Sequence, residues 1–164
     1  MLRVLIAEDE DIIRKGLVYT TDWLSMDCVV VAEAANGQEG LEKILECRPD
    51  VVIADICMPF LDGIEMIKRA AETVHFKSIL LTSYADFEYA RRAIDARVCE
   101  YLLKPVDEDQ LAEIMRKLGE EIASSRQVEK VMEQAELDGI NPRFITGLDE
   151  ALLDDLKKRH TLVV

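Results

Sequence analysis

Aromatic residues are scarce in this sequence. Only 5% of its 164 positions are Phe, Trp or Tyr, so any core it builds must be mostly aliphatic. Basic residues are also in deficit: 20 Lys and Arg stand against 33 Asp and Glu, a formal net charge of −13. Neutralising phosphates takes a surplus of Lys and Arg, so the chain is not expected to bind nucleic acid by itself. The same deficit argues against adsorption to an anionic membrane. No apolar run approaches the roughly 20 residues of a transmembrane helix, and MLRVLIAEDED turns acidic too early for a signal peptide. Cys28, Cys47, Cys57 and Cys99 show no CxxC spacing, as expected of reduced thiols in a cytoplasmic protein. Low-complexity sequence is also scarce, and 49% of residues are hydrophobic, enough to bury a core and to argue against disorder.

What is present is an alternation. Short apolar, β-branched runs at Leu2–Ala7, Cys28–Ala34, 51–54, 78–81 and 101–103 are too short for helices and are bounded by polar or turn residues. They read as buried strands. Amphipathic stretches separate them, with expected apolar faces at Ile12, Ile13, Leu17 and Val18, at Leu41, Ile44 and Leu45, and at Ile64, Ile67 and Ala71. Two more follow at Phe87, Ala90 and Ile94 and at Leu111, Ile114, Met115 and Leu118. Five β-α repeats of this kind imply an α/β fold, a parallel sheet covered by helices on both sides. Residues 1–119 account for it. Residues 120–164 are too few for a second ordinary core and are expected to form a helical tail. Ile122, Val128, Val131, Met132 and Leu137 continue the fifth helix, Asp138-Gly139 and Asn141-Pro142 end it, and a short helix follows at 148–159.

In an open parallel sheet the chemistry gathers beyond the carboxyl ends of the strands. There the sequence places Glu8, Asp9, Glu10 and Asp11 after the first run, Asp55 after the third, Thr82 and Ser83 after the fourth, and Lys104-Pro105 after the fifth. Helix capping accounts for Glu10 or Asp11. It does not account for Asp55, which follows Val51-Val52-Ile53-Ala54 directly and meets both desolvation and neighbouring carboxylates. Such a group needs a cation. Hard oxygen ligands suit Mg²⁺, and Lys104 offers a second positive charge. Trp23 is expected to anchor the first helix to the second strand, Met58 and Met66 to pack, and His75 and His160 to lie at the surface.

The segments LIAEDE, DVVIADICMPFLDGIEMI, ILLTSYADFEYARRAI and YLLKPV together resemble the receiver domain of two-component response regulators, in the family's order and spacing. TDWLSMDCVVVAEAANGQEGLE and SYADFEYARRAI resemble, within that family, receivers that precede an AraC-type DNA-binding domain. The resemblance implies a doubly wound, flavodoxin-like sheet of strand order 2-1-3-4-5 over residues 1–119. It implies that Asp55 accepts a phosphoryl group from a sensor histidine kinase. Asp9, Asp55 and the backbone carbonyl of Cys57 would bind Mg²⁺, with Glu8 acting through water. Lys104 and Thr82 would contact the phosphoryl group, Tyr101 would turn inward as Thr82 moves, and Pro105 would follow a cis peptide bond. It further implies a phosphorylation-dependent homodimer through the fourth helix, fifth strand and fifth helix, roughly 86–96, 100–103 and 107–118. The chain would be a switch rather than an enzyme, catalysing only its own phosphorylation and dephosphorylation.

Some positions depart from that pattern. Glu8 stands where Asp is commoner and reaches one methylene further. Phe60 stands where Gly is frequent. Arg97 stands where Gly usually ends the fourth helix, and because a left-handed Arg costs about 1 kcal/mol against Gly, another loop shape is expected there. Cys57 lacks the polar side chain often found two residues after the acceptor, which implies a poorly oriented hydrolytic water. Other readings stay open: a stand-alone receiver acting through protein contacts or a phosphorelay, or an aspartate-nucleophile phosphatase, which would want a second Asp where Cys57 stands. The lesser readings are an ordinary helix N-cap or turn role for Thr82 and simple core packing for Tyr101.

Overall fold

The computed structural model describes residues 1–83 and 87–139, and of residues 87–90 the backbone alone. The expected helix at 148–159, Asp86, His160 and the side chains of Phe87 and Ala90 lie outside the described residues. Strands and helices alternate as β1 (Leu2–Ala7), α1 (Asp11–Tyr19), β2 (Cys28–Ala34), α2 (Gly37–Cys47) and β3 (Val51–Asp55). There follow α3 (Gly63–Ala71), β4 (Lys77–Thr82), α4 (Phe87–Asp95), β5 (Glu100–Leu103) and α5 (Glu108–Leu137). All four ladders are parallel and the sheet order is β2-β1-β3-β4-β5, the doubly wound order that the sequence implies. Two compact units result, Met1–Arg116 and a second beginning at Lys117.

In the first unit, successive strand residues point to opposite faces of the sheet. Leu5, Ala7, Val52, Ala54 and Leu80 pack with Ile44 of α2, Ile64, Met66, Ile67 and Ala70 of α3, and Ala93 of α4. The alternating residues Val4, Ile6, Ile53, Ile79 and Leu81 are just as buried, on the side left to α1 and the start of α5. There the buried helix residues are Arg14 and Leu17 and Leu111, Ile114 and Met115. Trp23 is buried, donates from Nε1 to Leu17 O at 2.8 Å and accepts from Cys28 N at 2.9 Å, tying α1 to β2.

Four expected helix faces need correction by one residue. Ile12 of α1 is 89% exposed and Ile94 of α4 is 76% exposed, while Leu45 is also exposed. In α3 it is Ala70, not Ala71, that is buried. Neighbouring residues on a helix point about 100° apart, so of two adjacent apolar residues only one faces the sheet, and docking selects which. Of the two acids expected at the start of α1, Asp11 lies in its first turn, where its charge favours the helix dipole. Glu10 occupies the N-cap of α1, but its side chain makes no cap bond; its N–H instead donates to Glu8 Oε1 at 3.2 Å. Side-chain caps do start α2, where Asn36 accepts from Glu39 N at 2.8 Å, and α3, where Asp62 accepts from Glu65 N at 2.8 Å.

Arg97 does take the left-handed conformation, with φ 59°, against the expectation of another loop shape. Val98 N bonds Ala93 O and Arg97 N bonds Ile94 O, each at 3.0 Å. That double bond pattern satisfies the last carbonyls of α4 and offsets the Arg strain. Phe60 is also left-handed, with φ 69°, and its ring is exposed.

In the second unit, α5 runs to Leu137. Val128, Met132 and Ala135, at i, i+4 and i+7, are its buried stripe. Gly139, with φ 71°, closes the end with its N–H on Glu136 O at 3.2 Å.

Candidate functional site

Register alone assembles the rim. Ala7 pairs with Ala54, Asp55 with Leu81, and Thr82 with Leu103. The next residue after β1 is therefore Glu8, the last of β3 is Asp55, the last of β4 is Thr82, and the next after β5 is Lys104. Four segments far apart in sequence end at one level of the sheet.

Glu8 is 0% exposed, and Asp55 and Thr82 are buried. Lys104 Nζ donates to Glu8 Oε2 at 2.7 Å and lies 3.3 Å from Asp55 Oδ2. Lys104 N also donates to Thr82 O at 2.7 Å, which fixes the start of the lysine loop against β4. Asp9 is partly exposed. One carboxylate oxygen from each of Glu8, Asp9 and Asp55 lies within 4.8 Å of the others. The extra methylene of Glu8 carries its carboxylate down to Lys104, so Glu8 is held by the lysine and the Glu10 amide.

These charges are strained by burial. Desolvation pushes the Glu8 carboxyl up to about 7; the Lys104 bond opposes this and the Asp55 charge adds to it. Burial likewise raises Asp55, against the pull of Lys104. Burial would lower the Lys104 ammonium, but its bond to Glu8 and the charges of Asp55 and Glu8 outweigh that and raise it. Three carboxylates thus converge on one point, two of them on Lys104, a donor set of hard oxygens short of positive charge. It fits a divalent cation such as Mg²⁺.

The remaining predicted residues fall around this centre. Cys57 lies in the loop after β3 with its side chain exposed, while Met58 and Leu61 of that loop are buried and anchor it. Tyr101 pairs with Leu80 in the β4–β5 ladder and packs, half-buried, against the core. The Lys104–Pro105 peptide bond is cis. Met66 is buried and His75 exposed.

Sequence reasoning missed three supports. Gly63 N donates to Ile56 O at 2.9 Å, and a Cβ at Gly63 would stand 2.0 Å from Asp55 O, so only glycine lets α3 begin so close behind Asp55. Asp62 caps α3 with one oxygen and meets Arg92 Nη2 of α4 with the other, at 2.7 Å. Arg14 is buried against the Glu8 carbonyl; the signal was a basic residue inside the Ile13–Leu17 stripe. Beside the rim, a cleft of about 520 Å³ is lined by Ile13, Leu17, Thr21, Ser83, Pro105 and Leu111, among others.

Comparison with known proteins places this arrangement. Residues 4–116 match the response regulator receiver domain. The chain belongs to the response regulator receiver family. Its relatives include the uncharacterized transcriptional regulatory protein YesN of Bacillus subtilis, 39% identical over 112 residues, which are 68% of this chain and 30% of YesN. The transcriptional regulatory protein HptR of Staphylococcus aureus is 39% identical over 118 residues, 72% of this chain and 46% of HptR. Among solved structures, the REC domain of AraT, a response regulator from Geobacillus stearothermophilus, superposes with a TM-score of 0.71 at 41% identity, covering 76% of this chain and 98% of that one. The match to these curated relatives thus spans less than half their length. Receiver domains are regulatory modules, and in this one Glu8, Asp9 and Asp55 form an acidic cluster at the rim. Among the described residues no helix is long and apolar enough to cross a membrane.

Proposed function

We propose that this receiver is switched by phosphorylation of Asp55 by a sensor histidine kinase and regulates transcription through an AraC-type output domain. The observation that carries the reading is the convergence of Asp55 with Glu8, Asp9 and Lys104 at one rim. A carboxylate oxygen of Asp55 attacks the phosphorus of a phosphohistidine. The P–N bond breaks, its electron pair stays on the departing imidazole, and an acyl phosphate forms on Asp55. Asp9, Asp55 and the Cys57 carbonyl would hold Mg²⁺, with Glu8 acting through water; the ion would supply positive charge to offset that of the transferring phosphoryl oxygens. Lys104 leaves its bond to Glu8 in part and pairs with a phosphoryl oxygen. The Thr82 hydroxyl donates to another, and Tyr101 turns inward behind it. Cys57 orders an attacking water poorly, so the acyl phosphate is long-lived.

Phosphorylation can shift a two-state equilibrium only by the interactions it gains in the active state, and a swing from 1:99 to 99:1 takes about 5.5 kcal/mol. The readout is a homodimer through α4, β5 and α5, where Ile94 and Leu103 are exposed. The unit acts in the cytoplasm and does not itself contact DNA. The test is incubation with acetyl phosphate and Mg²⁺ followed by intact mass. One added phosphate is expected, absent in Asp55→Ala and absent after chelation of the metal. No adduct on the unaltered chain, or an adduct that survives Asp55→Ala, overturns the reading.

A further inference from the structure

Arg14 is the one basic side chain of α1 that turns inward: α1 buries only Arg14 and Leu17, and Arg14 is 8% exposed. Its guanidinium is fully engaged. Nη1 donates to Glu8 O at 2.8 Å, Nη2 donates to Asp11 Oδ1, and Nε donates to Glu33 Oε1 at 3.3 Å. Glu33 is held in turn by the Tyr19 hydroxyl, which donates to its Oε2 at 3.4 Å. The carbonyl that Arg14 grips belongs to the peptide joining Glu8 to Asp9. That unit is a rigid plane, so its orientation sets the direction in which both side chains leave the backbone. β1 has ended at Ala7, and beyond it the Glu8 N–H still bonds Ala34 O at 2.9 Å. The sheet therefore fixes one side of Glu8 and Arg14 fixes the other.

We infer that Arg14 is a positioning residue for the metal pocket, clamping the Glu8–Asp9 peptide so that both carboxylates point at the Asp55 rim. The inference rests on the cation-binding reading above. Groups that orient ligands without touching the metal commonly tune affinity by about tenfold or more. A planar fork spans the carbonyl and two carboxylates, which a lysine ammonium does not.

A simple ion pair between α1 and β2 predicts something different. Removing the Arg14 charge leaves Asp11 and Glu33 uncompensated near the pocket, and on charge alone a divalent cation then binds as well or better. Loss of positioning makes it bind worse, so the sign of the change separates the two roles. The experiment titrates Mn²⁺ by its free-ion EPR signal, and Mg²⁺ by calorimetry, against the full chain and against Arg14→Gln, Arg14→Lys and Glu33→Gln. Arg14→Gln is expected to weaken both cations about tenfold. Arg14→Lys keeps the charge but is expected to lose nearly as much. Glu33→Gln, which only loosens the clamp, is expected to lose about twofold to threefold. Unchanged or tighter binding in folded Arg14 variants overturns the inference. Should Arg14→Gln fail to fold, Arg14→Lys and Glu33→Gln decide by the same criterion. Absence of cation binding in the unaltered chain overturns the proposed function itself, a result distinct from loss of the Arg14 effect alone.

Discussion

Helices α3 and α4 cover the same face of the sheet, and α3 buries far more of it than the described side chains of α4, residues 91–95, do. α3 buries Ile64, Met66, Ile67 and Ala70. Among the described side chains of α4 only Ala93 is buried, with Ala96 just beyond the helix, and the large Ile94 points to solvent. Burying a large aliphatic side chain contributes about 1.5–3 kcal/mol, and a methyl or methylene about 0.8 kcal/mol. The acceptor of the site sits beside the strongly packed helix: Asp55 ends β3, and α3 begins at Gly63 against the Asp55 backbone. The described part of α4, with Ile94 exposed, belongs to the surface proposed for dimerisation. The proposed switch draws on this difference, because a rim that must keep its geometry is better held by a helix with many buried side chains.

The sharpest way to break that comparison is to thin both helices. Ile67→Ala is expected to cost about 2–5 kcal/mol, read as a lower urea midpoint at constant slope. Ala93→Gly, which removes one buried methyl and lowers helix propensity, is expected to cost about 1–2 kcal/mol. Equal costs would show that α4 is anchored as firmly as α3, and the asymmetry would fall.

A smaller effect tests the tie between the halves. Arg92 of α4 meets Asp62, whose other oxygen caps α3. Both side chains are partly exposed, so Arg92→Met should cost under about 1 kcal/mol globally. Its expected signature is local. Amide exchange at Ala93 and Ala96 should quicken by up to about fivefold while α3 stays protected. No change in α4, or equal loosening of α3, would remove the tie.

Much of this was legible because it is local. Strand bounds for β1 and β2 follow from their apolar runs alone, while β3, β4 and β5 extend into Asp55, Lys77, Thr82 and Glu100, polar residues that still fill ladder positions. The rim was legible because strand ends of a parallel sheet must meet at one edge. The misread helix faces at Ile12, Leu45, Ala71 and Ile94 share one cause. Periodicity gives the repeat of a helix but not its rotation against the sheet, and small residues such as Ala70 and Ala93 carry little hydrophobic signal. The Glu8–Lys104 bond and the Arg14 clamp depend on side-chain reach between residues on different elements. Only the folded backbone fixes such distances.

The smallest expected effect asks whether the strong half owes anything to charge. Glu39 opens α2, which packs on α3, and its carboxylate accepts from Lys43 Nζ at 2.7 Å and from Ala35 N at 3.1 Å. The Lys43 bond, then the Ala35 bond, hold its carboxyl below the ordinary range. With the folded value depressed, the unfolded chain binds more protons in the acidic range, so the contribution is complete above the ordinary carboxylate pKa. It is lost as pH falls through the folded value. Both side chains of the pair are over a third exposed, which limits the pair to about 0.5 kcal/mol. Glu39→Gln should therefore lower the urea midpoint slightly at pH 7, and the gap to the unaltered chain should close as the pH falls below the ordinary carboxylate range. A gap of several kcal/mol at pH 7, or one that widens with acid, would mean that charge rather than aliphatic burial holds this half.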